Sequence, residues 1–367
     1  MAYQDSIHTA ATEVVAPHTY TLPPATGAGS AGSGPSPAHL FAAVNAFQQT
    51  AVLKSAVELG VFTAIADGAA TPAEIGAKCG ASERGIRILC DFLVVIGFLT
   101  KAGATYALTE DSAVFLARQS RAYMGGALDF LLSPAIVGGF QDLTAAVRNG
   151  GTTMPHEGAL APDHPMWVQF AQSMVPMMMM PAQAIAGIVN GEAPRSLKIL
   201  DIAAGHGMFG ITIAQRNPAA QIVALDWPNV LEIAKGNARD AGVSDRYETI
   251  SGSAFDVDFG TGYDVVLLTN FIHHFDVPAN DALLRKVHAA LAPAGRVVAL
   301  EFVPNEDRVS PPMPATFSMM MLASTPAGDA YTAGQLTGMY ADAGFPRCEV
   351  IPLPPSPESA VVGYKES

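Results

Sequence analysis

The pattern of apolar and polar positions separates the beginning of the chain from the remainder. Residues 1–37 are rich in Ala, Gly, Ser, Thr and Pro. Such a segment buries too little apolar surface to offset the entropy of ordering it, so we predict a flexible leader. From His39 onward, apolar residues at helical spacing predict one long helix, and these residues are Leu40, Phe41, Val44, Phe47, Val52, Leu53, Ala56 and Leu59.

A compact helical domain is predicted for residues 38–120. The segment Thr71-Pro-Ala-Glu74 has the form of a capping box, and Ser82 precedes another amphipathic helix. Two short β-like runs then flank Gly103, which completes a winged-helix pattern. A winged helix either recognises DNA or serves packing and dimerisation. The candidate recognition helix is mostly apolar apart from Arg84 and Arg87, which favours dimerisation.

Residues 121–195 are predicted to be a helical linker and pocket lid, with a loop near 150–165. The run Met174-Val-Pro-Met-Met-Met-Met-Pro181 suits either a pocket lining or core packing, because thioether side chains adapt to irregular shapes. The pattern leaves both interpretations open.

From residue 196 to 367, strands and helices alternate, which predicts a doubly wound α/β domain of the Rossmann-like type. Its seven-stranded, mostly parallel sheet should bind a ligand outside the carboxyl ends of the strands. The predicted strands lie near 197–202, 221–226, 247–251, 264–269, 296–302, 347–351 and 360–364. The predicted helices lie near 208–216, 229–241, 280–291 and 333–343.

The strongest local signal is the glycine-rich turn after the first of these strands. Gly205-x-Gly207-x-x-Gly210, with Asp226 lying 21 residues after Gly205, fits a nucleotide site of the dinucleotide type. Asp201 precedes the turn, where it would repel a pyrophosphate but could hold the ammonium of a methionine moiety. We therefore favour S-adenosylmethionine over NAD.

Composition excludes several classes of function. The chain has 367 residues, 50% of them hydrophobic, and a net charge of −13, which argues against a nucleic-acid partner. Three widely spaced cysteines suggest neither a disulfide framework nor a metal site. The chain has no apolar run of transmembrane length and no signal-peptide pattern. We therefore predict a cytoplasmic protein without a membrane partner.

Acidic and polar residues follow the other predicted strands. Asp226 either binds two ribose hydroxyls or stabilises the N-terminus of the next helix, and the spacing to Gly205 favours the ribose. In the loop of residues 250–256, Ser253 or backbone groups could meet an adenine edge and Phe255 could cover the ring, or the segment is simply a loop.

Two histidines follow the fourth strand. Side chains of adjacent residues in an extended backbone point apart, so only one of His273 and His274 should face the site, and we choose His273 as general base. With a pKa near its ordinary value of about 6.5, it could deprotonate an acceptor hydroxyl. Glu301 ends the fifth strand and could orient the imidazole. Equally favoured is a purely structural role, in which Glu301 is a hydrogen-bonded acid at the end of the strand.

Taken together, these segments resemble small-molecule O-methyltransferases of the bacterial type, related to caffeate and acetylserotonin O-methyltransferases. The resemblance covers residues 38–365. Its motifs are Leu200-Asp-Ile-Ala-Ala-Gly-His-Gly207, Ala224-Leu-Asp-Trp-Pro228, Asn270-Phe-Ile-His273, Leu291-Ala-Pro-Ala-Gly-Arg-Val297 and Tyr331-Thr332 leading to Ala343-Gly-Phe345.

The resemblance implies S-adenosylmethionine as cofactor, a homodimer formed by the N-terminal domain, and a histidine base at His273. Candidate cofactor-binding residues are Asp201, Gly205, Gly207, Asp226, Trp227, Ser253, Ala254, Phe255 and Asn270. Candidate substrate-binding residues are Met174, Met178, His274 and Met321. The chain departs from the family where Ser253 replaces an acid, where His274 and Phe275 follow the base, and where Ala330 replaces a glutamate.

We therefore expect methyl transfer from S-adenosylmethionine to a hydroxyl of an aromatic or polyketide-like small molecule. The alternatives are transfer to carbon, use of the cofactor without transfer, and a winged-helix regulator that senses a ligand.

Overall fold

The computed structural model describes residues 35–161, 163–191 and 195–366. It divides into two compact units, one that ends at Gly125 and one that begins at Gly126. Of the predicted leader of residues 1–37, residues 1–34 lie outside the described residues. No helix in the described ranges is long and apolar enough to span a bilayer.

The first unit is a helical domain with a small hairpin, as predicted. Its elements are α1 (Ala38–Glu58), α2 (Val61–Ala66), α3 (Pro72–Cys79), α4 (Glu83–Val95), β1 (Leu99–Ala102), β2 (Thr105–Leu108) and α5 (Glu110–Phe115). The capping box forms, because Thr71 Oγ1 accepts a hydrogen bond from the Glu74 amide while the Glu74 carboxylate accepts one from the Thr71 amide. The short α2 was not predicted; Gly60, with φ of +74°, separates it from α1.

The second unit begins with helices that precede its sheet. They are α6 (Leu128–Leu131), α7 (Pro134–Gln141), α8 (Leu143–Asn149), α9 (Pro165–Ser173) and α10 (Val175–Asn190). Short 3₁₀ segments lie at Gly125–Ala127, Pro155–Leu160, Ser244–Arg246 and Ile272–His274. The predicted loop near 150–165 therefore contains a turn of 3₁₀ helix.

Seven strands form the sheet of the second unit, as predicted, and each lies near its predicted position, although the fifth in chain order begins at Leu291, five residues before the predicted start at 296. They are β3 (Leu197–Ile202), β4 (Ala220–Asp226), β5 (Tyr247–Ser251), β6 (Tyr263–Thr269), β7 (Leu291–Glu301), β8 (Arg347–Pro352) and β9 (Ser359–Tyr364). The order is β5-β4-β3-β6-β7-β9-β8, in which the first five strands are parallel and β9 is antiparallel to β7 and β8. The predicted fold class is confirmed.

Helices cover the sheet in the second unit, and alternate strand residues pack on its opposite faces. The helices are α11 (Met208–Arg216), α12 (Pro228–Asp240), α13 (Val277–Ala290), α14 (Pro312–Ser324) and α15 (Ala333–Asp342). Ile199 belongs to one buried cluster and Leu200 to the other, as expected for a parallel sheet covered on both faces. The chain leaves β3 toward β4 and later returns to β6 on its other side, which places a topological switch point at the carboxyl end of β3.

Candidate active site

The turn after β3 needs its three glycines for different reasons. Gly205 and Gly207 have φ values of +56° and +76°, in the left-handed region that favours glycine. A Cβ on Gly210 would lie 2.7 Å from Cγ2 of Ile222 on the neighbouring strand, so this glycine allows α11 to pack closely on the sheet. The chain thus passes from strand to helix within a few residues.

Asp201 is fully buried beside the first turn of α11. Its Oδ2 accepts a hydrogen bond of 3.2 Å from the Gly210 amide, whereas Oδ1 has no partner among the described residues. Burial raises the pKa of this carboxyl to about 7. A cationic ligand group at the turn would favour the ionised form, so an ammonium suits this position.

Asp226 joins the end of β4 to the glycine turn. One carboxylate oxygen accepts from the Gly205 amide at 2.8 Å and the other from the Trp227 amide at 2.7 Å. Burial raises the pKa of this group to about 6. Each carboxylate oxygen keeps a free lone pair. Asp226 can therefore accept from the backbone near the start of α12 and from ribose hydroxyls at the same time.

The loop after β5 is held by a lysine that sequence analysis did not single out. Lys286 Nζ on α13 donates to the carbonyl oxygens of Ala254, Phe255 and Val257 at 2.9, 3.1 and 2.7 Å. Ser253 Oγ accepts from the Phe255 amide at 3.2 Å. A lysine on an amphipathic helix looks like a surface residue in sequence, so no local signal marked it.

The two histidines lie on the 3₁₀ segment after β6. Asn270, which precedes it, has φ of +54°. Asn280 Nδ2 donates to two carbonyl oxygens of the turn at 3.0 and 3.1 Å, and Tyr331 Oη donates to the Phe275 carbonyl at 2.5 Å. Contacts from two later parts of the chain therefore fix the conformation of this turn.

Both histidines line one cavity, with ring centroids 4.3 Å apart. The expectation that only one of them faces the site was wrong, because it assumed an extended backbone. A 3₁₀ segment has about three residues per turn, so adjacent side chains are not on opposite sides.

His273 and Glu301 form a buried pair in which Nδ1 lies 2.5 Å from Oε2. The other carboxylate oxygen accepts from the Phe271 and Ile272 amides at 3.2 and 2.8 Å. Burial raises the pKa of the Glu301 carboxyl to about 8, and the two amide donors oppose that shift. The ionised form of Glu301 can only accept, so opposite it Nδ1 of the imidazole carries the proton and Nε2 is an acceptor.

The electrostatic surroundings of His273 differ from the sequence-based expectation. Burial holds the pKa of His273 well below its ordinary value, so the expectation of an unperturbed pKa was wrong. The imidazole is consequently neutral in the neutral pH range, which is the form that a general base requires.

The cavity has a volume of about 310 Å³, within the range of small-molecule sites. Its walls are mostly aromatic and thioether side chains, namely Phe130, Met166, Trp167, Phe170, Met174, Met177, Met178, Phe271, Phe302, Phe317, Met320 and Met321. Phe302 and Phe317 stack at 4.0 Å, and Phe317 meets His273 edge-on at 4.9 Å. Met174 and Met178 also belong to the core cluster, so both interpretations of the methionine run hold.

Most of the predicted site residues meet at this cavity. Those that line it are Met174, Met178, Gly205, Asp226, Trp227, Ser253, Ala254, Phe255, Asn270, His273, His274 and Met321. Asp201, Gly207 and Glu301 do not line it; each contacts a residue or turn that does. Within the described residues, no cluster of three His, Cys, Asp or Glu side chains could hold a metal ion.

Family models match both units. A model of an O-methyltransferase domain matches residues 140–346, and a model of an O-methyltransferase dimerisation domain matches residues 41–118.

Two relatives differ in the atom that their names say is methylated. The 3-hydroxy-5-methyl-1-naphthoate 3-O-methyltransferase of Streptomyces sahachiroi is 27% identical over 324 residues, which cover 86% of this chain and 92% of that protein. The L-tyrosine C(3)-methyltransferase of Streptomyces lavendulae is 28% identical over 324 residues, which cover 83% and 85%.

Solved structures share the fold over nearly the whole chain. A protein from Nostoc punctiforme PCC 73102, provisionally described as an O-methyltransferase, has 55% identity and a TM-score of 0.88, covering 90% of this chain and 100% of that one. Human N-acetylserotonin methyltransferase in complex with S-adenosylmethionine has 23% identity and a TM-score of 0.79, covering 92% and 100%.

Proposed function

The chain belongs to the O-methyltransferase family, and we propose that it methylates a hydroxyl of an aromatic or polyketide-like small molecule, with His273 as the general base. The methyl donor is S-adenosylmethionine, which when bound supplies an electrophilic methyl group on a sulfonium. The chain's own residues bind and align the two reactants and accept the proton.

The donor would be held at the switch point of the sheet. The unpaired Oδ1 of Asp201 suits the ammonium of the methionine moiety, and the carboxylate of Asp226 suits two ribose hydroxyls. Ser253, Ala254 and Phe255, in the loop held by Lys286, suit the adenine. Trp227 and Asn270 line the same cavity and complete the cofactor side.

The acceptor hydroxyl would bind at Nε2 of His273. A free phenol, with a pKa of about 10, is only about 0.1% ionised at neutral pH, so a base accelerates transfer by roughly 10²–10⁴-fold. Glu301 would keep the proton on Nδ1 and stabilise the imidazolium that forms. Met174, Met178 and Met321 would contact the acceptor ring, because thioethers adapt to flat aromatic surfaces.

The observation that carries this proposal is the buried pair of His273 and Glu301 at 2.5 Å, open to an aromatic cavity that also contains Asp226. The test supplies S-adenosylmethionine and a panel of hydroxylated naphthalenes to the wild type, to His273→Ala and to His288→Gln. His288 lies on α13 and does not line the cavity. We expect methylated product from the wild type and the control, and a loss of at least about 100-fold in kcat for His273→Ala. Full kcat in His273→Ala would overturn the role of the base.

A second candidate is transfer to carbon. The similarity to the L-tyrosine C(3)-methyltransferase favours it. Its product would carry the methyl group on a ring carbon and keep a free hydroxyl, which NMR of the product distinguishes from an ether.

We also infer that the chain forms a homodimer through α1. This helix exposes Leu40, Phe41, Val44 and Phe47, with exposed fractions of 59–69%. Their spacing places them along one stripe of the helix, and such a stripe on a dimerisation domain suits a second copy of the chain.

A further inference from the structure

We propose that the preferred acceptor is an uncharged aromatic compound with hydroxyl groups on two adjacent ring carbons, one bound by Nε2 of His273 and the other by Nε2 of His274. The proposal rests on the proposed function, because it names the substrate class of the same site.

The two imidazole rings lie where they can bind one ligand together. His273 and His274 are adjacent on the 3₁₀ turn, their ring planes differ by 37°, and both line the cavity. The His274 ring is fixed by an edge contact with Trp167 at 5.3 Å. In each ring Nδ1 is engaged by the protein, which leaves Nε2 for a ligand.

The same ring nitrogen carries the proton in both histidines. Nδ1 of His274 lies 3.3 Å from the carbonyl oxygen of Phe271. A carbonyl oxygen only accepts, so Nδ1 carries the proton and Nε2 is an acceptor. The ionised form of Glu301 imposes the same tautomer on His273. Burial, together with the neighbouring His273, lowers the pKa of His274 to about 3, which keeps the ring neutral.

Neither Nε2 atom has a hydrogen-bond partner among the described residues, and neither is enclosed by protein, in contrast to the buried Nε2 of His206. Two neighbouring acceptors therefore face the cavity. Two hydroxyl groups can each donate a hydrogen bond to one of these Nε2 atoms. A ketone or ether oxygen beside the reacting hydroxyl would instead lie against the Nε2 of His274, and neither atom could donate. Donors on adjacent ring carbons match two adjacent imidazoles.

The charge of the cavity disfavours anionic acceptors. Among the described residues, no Lys or Arg side chain lines the cavity, and the positions outside the described ranges are neither Lys nor Arg. Asp226 lines the cavity, and Glu301 lies behind His273. An anionic acceptor would lose its hydration without gaining a cationic side chain as partner, which disfavours carboxylates.

The test measures binding to the full chain saturated with S-adenosylhomocysteine, a product that cannot donate a methyl group. The probes are naphthalene-2,3-diol, 2-naphthol, 3-methoxy-2-naphthol and 6,7-dihydroxy-2-naphthoate. We expect the diol to bind about tenfold more tightly than either mono-hydroxyl probe and at least about tenfold more tightly than the carboxylate. In His274→Phe the ratio of diol to 2-naphthol affinity should fall to near one, whereas Met320→Leu, another cavity residue, should keep it.

Equal affinities for the diol and 2-naphthol in the wild type, a tighter carboxylate, or no binding of the diol would overturn the inference without any variant. Methyl transfer to 2-naphthol as fast as to the diol would also overturn it and leave the proposed function standing. A chain that binds no S-adenosylmethionine would instead refute the proposed function.

Discussion

Replacement of Glu301 by glutamine should disable the base with little change in shape. In Glu301→Gln, one terminal atom must still accept from the Phe271 and Ile272 amides, so the carbonyl oxygen takes that place. The NH₂ group then points at Nδ1 of His273, which must become an acceptor, and the ring proton moves to Nε2. The nitrogen that should accept the substrate proton then already carries one.

The size of the expected fall in kcat depends on how rarely the glutamine side chain adopts the flipped orientation of its amide. If the NH₂ group faced the two backbone amides, two buried N–H donors would lose their acceptor, at a cost of about 1–3 kcal/mol each. The productive tautomer is therefore rare, and we expect kcat to fall by roughly 10²–10⁴-fold, the full contribution of a general base. Because both amide hydrogen bonds are retained, the thermal midpoint should change little.

The assay measures kcat at saturating S-adenosylmethionine and acceptor, at pH 7 and pH 9. A phenol with a pKa of about 10 is about 0.1% ionised at pH 7 and about 10% at pH 9, so the deficit should shrink by up to about 100-fold. His273→Ala in the Glu301→Gln background should add little further loss, because the two residues act as one unit. Glu306→Gln, which alters a carboxylate that does not line the cavity, is the matched control. A kcat within about threefold of wild type for Glu301→Gln would show that Glu301 does not set the tautomer of a catalytic base, since a general base contributes roughly 10²-fold or more.

Four further predictions concern the cofactor, the glycine turn and assembly. Asp226→Asn should raise the Kd for S-adenosylmethionine by about 10–100-fold in calorimetry, since hydrogen bonds to charged groups contribute about 1.5–3 kcal/mol, whereas Glu232→Gln on α12 should not change it. Burial raises the pKa of Asp226 to about 6 and that of Asp201 to about 7, and binding of S-adenosylmethionine needs both carboxyl groups ionised. The Kd for S-adenosylmethionine should therefore rise as the pH falls from about 8 to about 5, and a constant Kd would contradict this. Gly207→Ala should lower the free energy of unfolding in denaturant titrations by more than Gly242→Ala does. Both glycines have positive φ, but only at Gly207 would the new Cβ meet another group, because it would lie 2.5 Å from Tyr247 Oη. Equal losses of stability in the two variants would contradict this prediction. Phe41→Asp combined with Phe47→Asp should give a monomer in sedimentation, whereas Val309→Asp, at an equally exposed position, should not; a persistent dimer would exclude α1 as the interface.

Local sequence signals were sufficient for the sheet of the second unit. The apolar run of β3, the glycine turn and the start of α11 at Met208 depend on residues that are neighbours in sequence, and the structure places them as predicted. The helix α14 was missed because prolines at positions 311, 312 and 314 look like a loop, although proline is tolerated in the first turn of a helix.

The local geometry of the candidate site depends on distant residues and was less predictable. Asn280 on the following helix and Tyr331, 56 residues after Phe275, hold the histidine turn in its 3₁₀ form, so the local sequence did not reveal that His274 also faces the cavity. Lys286 supports the loop after β5 from α13, and the low pKa of His273 results from burial, which only the assembled fold provides.

The proposed function depends on transfer of a methyl group to an aromatic oxygen. The most direct measurement incubates the chain with S-adenosylmethionine labelled with ¹³C in its methyl group and with naphthalene-2,3-diol, and records the NMR spectrum of the product. We predict one labelled methyl in an aryl ether, lost in His273→Ala. A labelled methyl on a ring carbon, or no labelled product from any member of the hydroxylated naphthalene panel with the chain saturated by the donor, would contradict transfer to oxygen.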